Sequence, residues 1–518
     1  MSRIATFYEG KSILITGATG FLGKVLLEKL LRTSPDLQII YILMRPKAGQ
    51  TLQQRVNEML SCKLFDKVRE ACPNVHEKIR AIYGDLKHQD LGISKEDMQE
   101  LLSSTNLIFH CAATVRFNDT LRNAVQLNVI ATQQLLRMAS QMPSLEAFVH
   151  ISTAYSNCNL KHIEEVVYPG PVEPRQIIAS MEWLDDAIID EITPKLLGVW
   201  PNTYTYTKAL GEVVVQTEGR NLNMAIVRPS IVGATWQDPF PGWVDNLNGP
   251  NALIVATGKG LLHAIKASPR AVADLIPVDT VVNLILSVGW YTAVHRPKST
   301  RIYHCTSGTL NPCKWGEMGM QIMANLEKVP LESALMIPKA SFVTTTVYME
   351  YWNAFRHFGP AAIYDLFLRL TGRKPRFLNI TNRILKTVSV LEYFATQSWE
   401  WSMNNTEMLL AELGPEDQQV FNFDVRQLDW VEYFKNYVLG VKQYLLKEDM
   451  SRIPKVKEHL KKLRNMQYLF NTALVLLTWR LLITRSQIAR NAWFFLVNFC
   501  YKLLTYLRES YPLRSKQL

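Results

Sequence analysis

Tyr204 and Lys208 stand four residues apart in the stretch 203–212, TYTYTKALGE. On a helix that spacing puts the phenol and the ammonium on one face. A phenol titrates near 10 in isolation, too high for a ready acid–base group at neutral pH. A neighbouring ammonium favours the phenolate and lowers that value. A tyrosine tuned this way can give a proton to a carbonyl oxygen as hydride arrives at the carbon. Tyr206 lacks the spacing and reads as packing. The chain has 20 tyrosines and a formal charge of +11, so a chance Tyr-x-x-x-Lys is easy to find. The pair gains its weight from what stands before it.

Residues 12–24, SILITGATGFLGK, read as a short apolar strand, Ser12–Thr16, then a glycine-rich turn and a helix. Phe21, Leu22, Val25, Leu26, Leu30 and Leu31 recur at helical spacing until residues 33–36 stop them. Strand, glycine turn and helix in that order open a dinucleotide-binding βαβ unit. Gly17, Gly20 and Gly23 let the backbone approach a pyrophosphate, and the helix N-terminus supplies free N–H groups. Gly17, Thr19, Gly20, Phe21, Leu22 and Gly23 are therefore cofactor-binding candidates. The apolar run Ile39–Met44 is a buried parallel strand by pattern. At its end, where an acid would hold the ribose of NAD, stands Arg45, 22 residues after Gly23, with Lys47 close behind. A guanidinium suits a 2′-phosphate, so the expected cofactor is NADPH. Three more strand ends follow: Ile79–Tyr83 into Gly84-Asp85-Leu86, 108–111 into Ala112-Ala113-Thr114, and 148–151 into Ser152-Thr153. Helical stretches such as 121–138 lie between them. That rhythm predicts an α/β fold, a doubly wound parallel (Rossmann) sheet with its ligand at the carboxyl ends of the strands.

At 518 residues, the chain exceeds one ordinary core, and two or three units are expected. The cationic surplus fits phosphorylated ligands or an anionic membrane surface. No nucleic-acid motif accompanies it, so no nucleic-acid partner is expected. The seven cysteines show no C-x-x-C spacing, which argues for a reducing compartment without disulfide framework or metal site. The first strand begins about a dozen residues from Met1, so no signal peptide is expected and the body should face the cytosol.

TGATGFLG, GDL, HISTAYSN and YTYTK, in this order, resemble the extended short-chain dehydrogenase/reductases. HCAATVRF, YTYTKALGE, VRPSIVGA, PFPGWVDN and LTGRKPR are more specific, and they are similar to the animal fatty acyl-CoA reductases over essentially the whole chain. By that resemblance Thr153, or Ser152, hydrogen-bonds the substrate oxygen. Tyr204 is the acid, and Lys208 orients the ribose and tunes the phenol. Asp85 would contact the adenine, Arg228-Pro229-Ser230 would lie near the nicotinamide, and Leu86, Ala112, Ala113, Asn128 and Ile231 would complete the cofactor side. No acyl-cysteine step is implied, and Cys111 and Cys158 read as buried small residues. The resemblance implies reduction of a long-chain fatty acyl-CoA to a primary alcohol by two hydride transfers through a bound aldehyde. It also implies a supply of fatty alcohol for wax ester and ether lipid synthesis.

The expected units are an NADP-binding reductase domain over 1–285 and a substrate lobe over 230–337 that overlaps and extends it. A helical domain over 338–450 follows, and its role as acyl-chain cover or homo-oligomer contact stays open. Then come a basic linker over 451–465 and a hydrophobic tail over 466–507. The insert between Cys158 and Trp200 is rich in acid and reads as a solvated loop and helix. Gly258-Lys259-Gly260, Lys266 and Arg270 could meet CoA phosphates or form a solvated face. In the tail, 466–483 can span a membrane if Arg480 snorkels, while a hairpin with 492–501 or a monotopic pair are rivals. The resemblance implies a peroxisomal membrane with a tail anchor and a cytosolic catalytic domain. Residues 515–518, SKQL, are not the S-K-L address. Two other classes share parts of this pattern. A membrane-bound hydroxysteroid dehydrogenase would prefer NAD, against Arg45; a non-catalytic NADP-binding scaffold would not need the Thr153, Tyr204 and Lys208 set.

Overall fold

The computed structural model describes residues 2–47 and 49–510; the targeting reading at 515–518 lies outside them. The chain divides into two compact units, Met1–Met450 and Ser451–Leu518. In the first, helix α1 (Arg3–Phe7) precedes strand β1 (Ser12–Thr16) and helix α2 (Phe21–Thr33). The start of α1 is held by a distant carboxylate: Asp417 Oδ1 accepts from Ser2 Oγ at 2.7 Å and Ile4 N at 3.2 Å, and Oδ2 accepts from Arg3 Nε at 3.1 Å.

Strands β2 (Ile39–Met44), β3 (Ile79–Tyr83), β4 (Leu107–His110), β5 (Ala147–Ile151), β6 (Met224–Pro229) and β7 (Arg301–Cys305) join β1 in one sheet. Its order is β7-β6-β5-β4-β1-β2-β3, and every neighbouring pair is parallel. The strand order reverses around β1, which is where a doubly wound sheet opens its ligand crevice. The continuous apolar runs follow from the two-sided covering of the sheet. Ile13 and Ile15 of β1 enter one core with Ile40 and Ile42, whereas Leu14 enters the other with Tyr41 and Leu43. Helix α3 (Thr203–Glu218) packs Leu210, Val214 and Val215 into the second core, and helix α4 (Val278–His295) packs Val281, Ile285 and Val288 into the first.

Helical periodicity over 121–138 is interrupted in the structure. A π turn, Gln126–Ile130, separates Leu121–Val125 from Ala131–Ala139. The acidic insert carries two helices, Pro174–Trp183 and Asp186–Leu197, with Glu173, Glu182, Asp185, Asp186, Asp190 and Glu191 exposed. Beyond β7 the chain is largely helical, and it returns to the sheet's active end. Trp399, Trp401 and Phe394 pack on Ala154, Tyr155 and Cys158, directly after Ser152-Thr153. Trp401 Nε1 donates to Ala154 O at 3.2 Å and Trp399 Nε1 to Cys158 O at 2.9 Å. Helix α5 (Phe377–Ser389) belongs to this region.

The second unit is two helices, α6 (Ile453–Arg485) and α7 (Gln487–Ser510), joined at Ser486. The basic stretch expected as a linker is helical and continuous with the apolar run, because a change in side-chain polarity is no break in backbone hydrogen bonding. The helix containing that run is long and apolar enough to cross a membrane, and none of its apolar window is buried. The Trp479 and Trp493 rings lie 5.4 Å apart across the connection, so the helices fold back on each other there.

Candidate active site

The start of α3 is fixed by polar groups. Asn202 caps it, its side chain accepting from Thr205 N at 2.9 Å, and Thr203 Oγ1 donates to Asp119 O at 3.0 Å. Lys208 is buried, and its Nζ donates to Ile151 O at 2.8 Å, tying the helix to the last residue of β5. Burial lowers the Lys208 ammonium to about 8, with the Glu212 carboxylate opposing the shift. Tyr204 is half-buried and opens onto the cleft. Its phenol is pushed up to about 12 by burial, offset in part by the Thr153 hydroxyl. A phenol lowered by Lys208 was the expectation from spacing. Desolvation sets the direction here, and the phenol is held protonated at neutral pH.

The two hydroxyls after β5 are not equivalent. Ser152 Oγ donates to Glu212 Oε1. The same carboxylate accepts from Arg228 Nε at 2.9 Å and Nη2 at 2.6 Å, all three groups being buried. Thr153 Oγ1 has no charged partner among the described residues: besides the Tyr204 phenol it has a 3.4 Å contact to Pro229 O and a 3.3 Å bond from Tyr155 N. The Thr153 hydroxyl is thus the one free to meet a ligand beside Tyr204. Arg228, expected near the nicotinamide, is instead inside the sheet, paired with Glu212 and 3.1 Å from His304 Nε2. A fully buried guanidinium needs a paired carboxylate, and Glu212 supplies it. Glu212 was missed in the sequence, although it lies four residues beyond Lys208 on the same helical face.

The expected residues, all but Lys47, Asn128 and Arg228, line one cleft of about 1030 Å³ at the carboxyl ends of β1, β2, β4 and β5. Lys47 is exposed outside it. Asn128 sits in the π turn and works as a clamp: its Oδ1 accepts from Thr114 N at 3.0 Å and its Nδ2 donates to Thr207 Oγ1 at 2.9 Å. It ties the Ala112-Ala113-Thr114 loop to α3. In Lys47's place the fold brings in Arg55, from helix Leu52–Leu60, which lines the cleft and donates to the Arg45 carbonyl. No motif spacing points to Arg55; only the helix that follows β2 delivers it.

The turn after β1 is shaped to receive a ligand's backbone-facing groups. Gly17 has φ +74°, and a Cβ there would lie 2.8 Å from Ala112 N. A Cβ at Gly23 would lie 2.3 Å from Gly17 O. The turn therefore exists only with bare glycines, and it presents main-chain N–H groups at the start of α2, the chemistry a dinucleotide pyrophosphate requires. The residues present fit a nicotinamide dinucleotide. Apolar side chains, among them Phe117, Leu253, Trp315, Leu391 and Phe394, complete the cleft. The Cys111 and Cys158 thiols are both pushed up to about 12 by burial, so neither is a thiolate at neutral pH. No cluster of metal-ligating side chains occurs among the described residues. Lys259 and Lys266, weighed as phosphate contacts, are paired with Glu448 at 3.5 Å and Glu392 at 2.5 Å, and they do not line the cleft.

A parallel sheet with a glycine cradle after β1, a free threonine hydroxyl after β5 and a Tyr-x-x-x-Lys helix beside it defines a nicotinamide-dependent reductase of the extended short-chain dehydrogenase type. The family described as male sterility protein matches with its NAD-binding part over residues 15–285 and its sterile part over 356–448. Fatty acyl-CoA reductase 2 of Bos taurus is 73% identical over 510 residues, covering 98% of this chain and 99% of the relative. Fatty acyl-CoA reductase 1 of Xenopus laevis is 54% identical over 514 residues, covering 99% and 100%. Among solved structures, the terminal R domain from the myxalamid PKS-NRPS pathway aligns at TM-score 0.56 and 20% identity, over 84% of this chain and 91% of that one. The reductase domain of a nonribosomal peptide synthetase from Mycobacterium tuberculosis aligns at 0.55 and 19%, over 84% and 92%. These two share the fold. The chain belongs to the fatty acyl-CoA reductase family.

Proposed function

We propose that this protein reduces long-chain fatty acyl-CoA to primary fatty alcohol, using NADPH and releasing CoA. The observation that carries the reading is the pairing of Thr153 and Tyr204, two protonated hydroxyls, at the apolar end of a cleft whose other end is a phosphate-binding turn. The bound nicotinamide supplies hydride. Thr153 Oγ and Tyr204 Oη hold the thioester carbonyl oxygen and stabilise the negative charge that develops there, as pre-placed donors do. CoA then leaves as a thiolate, its thiol being an ordinary one near 8.5. Once the spent cofactor is exchanged for a second NADPH, which would supply the second hydride, the same two hydroxyls hold the aldehyde oxygen and Tyr204 gives its proton to that oxygen. Lys208, charged below about pH 8, places an ammonium at the ribose and beside the phenol as it loses its proton. The protonated Cys111 and Cys158 take no part as nucleophiles. Arg45 and Arg55 support NADPH over NADH, because two guanidiniums suit a 2′-phosphate. We place the NADP-binding domain at 1–285 and the helical domain at 338–450. We also place the protein on the peroxisomal membrane by its tail, catalytic unit in the cytosol.

The test is stoichiometric. Detergent-solubilised protein is given palmitoyl-CoA and NADPH, and NADPH consumed is counted per CoA released. Two, with hexadecanol as product, is expected. One, with free aldehyde, removes the second reduction. No turnover with NADPH still bound overturns the assignment.

A further inference from the structure

The cleft contains more cations than its dinucleotide needs. Arg45 and Arg55 stand at the end of β2, with no acidic partner among the described residues, and meet the needs of a 2′-phosphate. A second group, Arg383 and Lys386, lies on α5 and lines the same cleft, again with no acidic partner among the described residues. The nearby acid Glu392 is occupied by Lys266 at 2.5 Å. Arg116, one residue from Phe117, is a further cation opening onto the cleft, besides Lys208 and the Asp245-paired Lys24.

Polarity along the α5 side changes in one direction. Arg383, Lys386 and Thr387 are exposed and charged or polar; Val390, Leu391 and Phe394 follow at the same three- and four-residue spacing, and all six line the cleft. The Phe394 ring is 5.4 Å from Phe117, and Phe117 is 5.5 Å from Tyr204. A basic mouth thus leads over an apolar edge to the reactive phenol. A coenzyme A thioester has that order of chemistry: a phosphate-rich nucleotide, a long uncharged arm, then the reacting carbonyl.

We infer that Arg383 and Lys386 are the anchor for the phosphates of the CoA nucleotide, and that Val390, Leu391 and Phe394 guide the arm to Tyr204. The assignment rests on the acyl-CoA reading above, and it gives the helical region a task in catalysis. Exposed cation–phosphate contacts are individually weak and salt-sensitive, so the pair acts together.

Titration calorimetry of the full-length, detergent-solubilised protein with desulfo-CoA reads this site without turnover. Arg383→Ala with Lys386→Ala should weaken desulfo-CoA at least about five-fold, the scale of two exposed charge contacts. The charge-keeping pair Arg383→Lys with Lys386→Arg should restore most of the affinity. In turnover, the ratio of kcat/KM for palmitoyl-CoA over palmitoyl-pantetheine, which lacks the nucleotide, should fall by the same factor. Unchanged desulfo-CoA affinity in the alanine pair overturns the assignment. So does lost binding to phosphatidylserine vesicles with desulfo-CoA affinity intact, which would give the pair to the membrane. Wild-type protein that neither binds desulfo-CoA nor reduces palmitoyl-CoA overturns the acyl-CoA reading itself.

Discussion

Glu212 accepts at once from Ser152 and from the Nε and Nη2 groups of Arg228, and that commitment leaves Thr153 as the hydroxyl proposed to meet the substrate. Thr153→Ala should therefore cost on the order of 10²–10³ in kcat, the usual loss for one oxyanion donor, while Ser152→Ala should cost far less. Equal losses in steady-state assays would mean that both hydroxyls face the ligand. Lys208 carries a pH dependence of definite sign. Its ammonium is lowered to about 8, so kcat/KM should fall as pH rises through about 8. Lys208→Arg, which stays charged, should remove that fall in a pH–rate profile if it supports turnover. Burying Lys208 as a cation also costs stability below pH 8, a cost relieved between there and its unfolded value near 10.4. Tyr204 and Lys208 were legible because one helix sets their relation. The inward turn of Ser152 was not, because it depends on Arg228 from β6 meeting a carboxylate from α3.

The sheet was legible strand by strand, since a strand covered on both faces must be apolar at every position, and Ile39–Met44 is. Asn128 was misread because a π turn rotates it toward Thr114 and Thr207, and nothing in periodicity announces an extra residue in a helical turn. The same sheet holds three buried histidines: His110 and His150 are neighbours across β4 and β5, and His304 on β7 lies beside Arg228 of β6. His110 on β4 and His304 on β7 are pushed down to about 3, and His150 on β5 well below its ordinary value, by burial and by nearby Lys208 or Arg228 charge. Each binds fewer protons folded than unfolded, so its contribution is lost as pH falls below about 6.5, by about 1.4 kcal/mol for each pH unit. Among the described residues, neither ring nitrogen of His150 has a hydrogen-bond partner. His150→Leu should consequently narrow the gap between denaturation midpoints at pH 7 and pH 4.5. An unchanged gap would mean that His150 is not held neutral.

At the scale of the whole chain, the cleft and the apolar helix long enough to cross a membrane fall in separate units. In α7 the polar residues Gln487, Arg490, Asn491, Asn498, Lys502 and Thr505 recur at three-, four- and seven-residue spacing, a narrow stripe over 487–506, where the other residues are apolar or aromatic. Such a helix suits a membrane surface, whereas α6 suits a crossing. Removing 451–518 should release the protein into the supernatant with NADPH binding retained, and removing only 487–518 should leave it in the membrane pellet. Release by the shorter deletion would transfer the anchor to α7. The tail's apolarity was plain in the sequence; its helical continuity through the basic stretch was not, because lysine and arginine are good helix formers too.

The tie between α1 and Asp417 sets a clock on biosynthesis. Ser2 and Asp417 are 415 residues apart, so at a typical ~5–20 residues per second the two ends of this contact are made ~20–80 s apart. Through that interval β1, β2 and their glycine turn are already off the ribosome, while the carboxylate that fastens α1 beside them does not yet exist. The first segment to be translated is thus among the last to be secured, and it must be kept from the wrong partners until the helical region arrives.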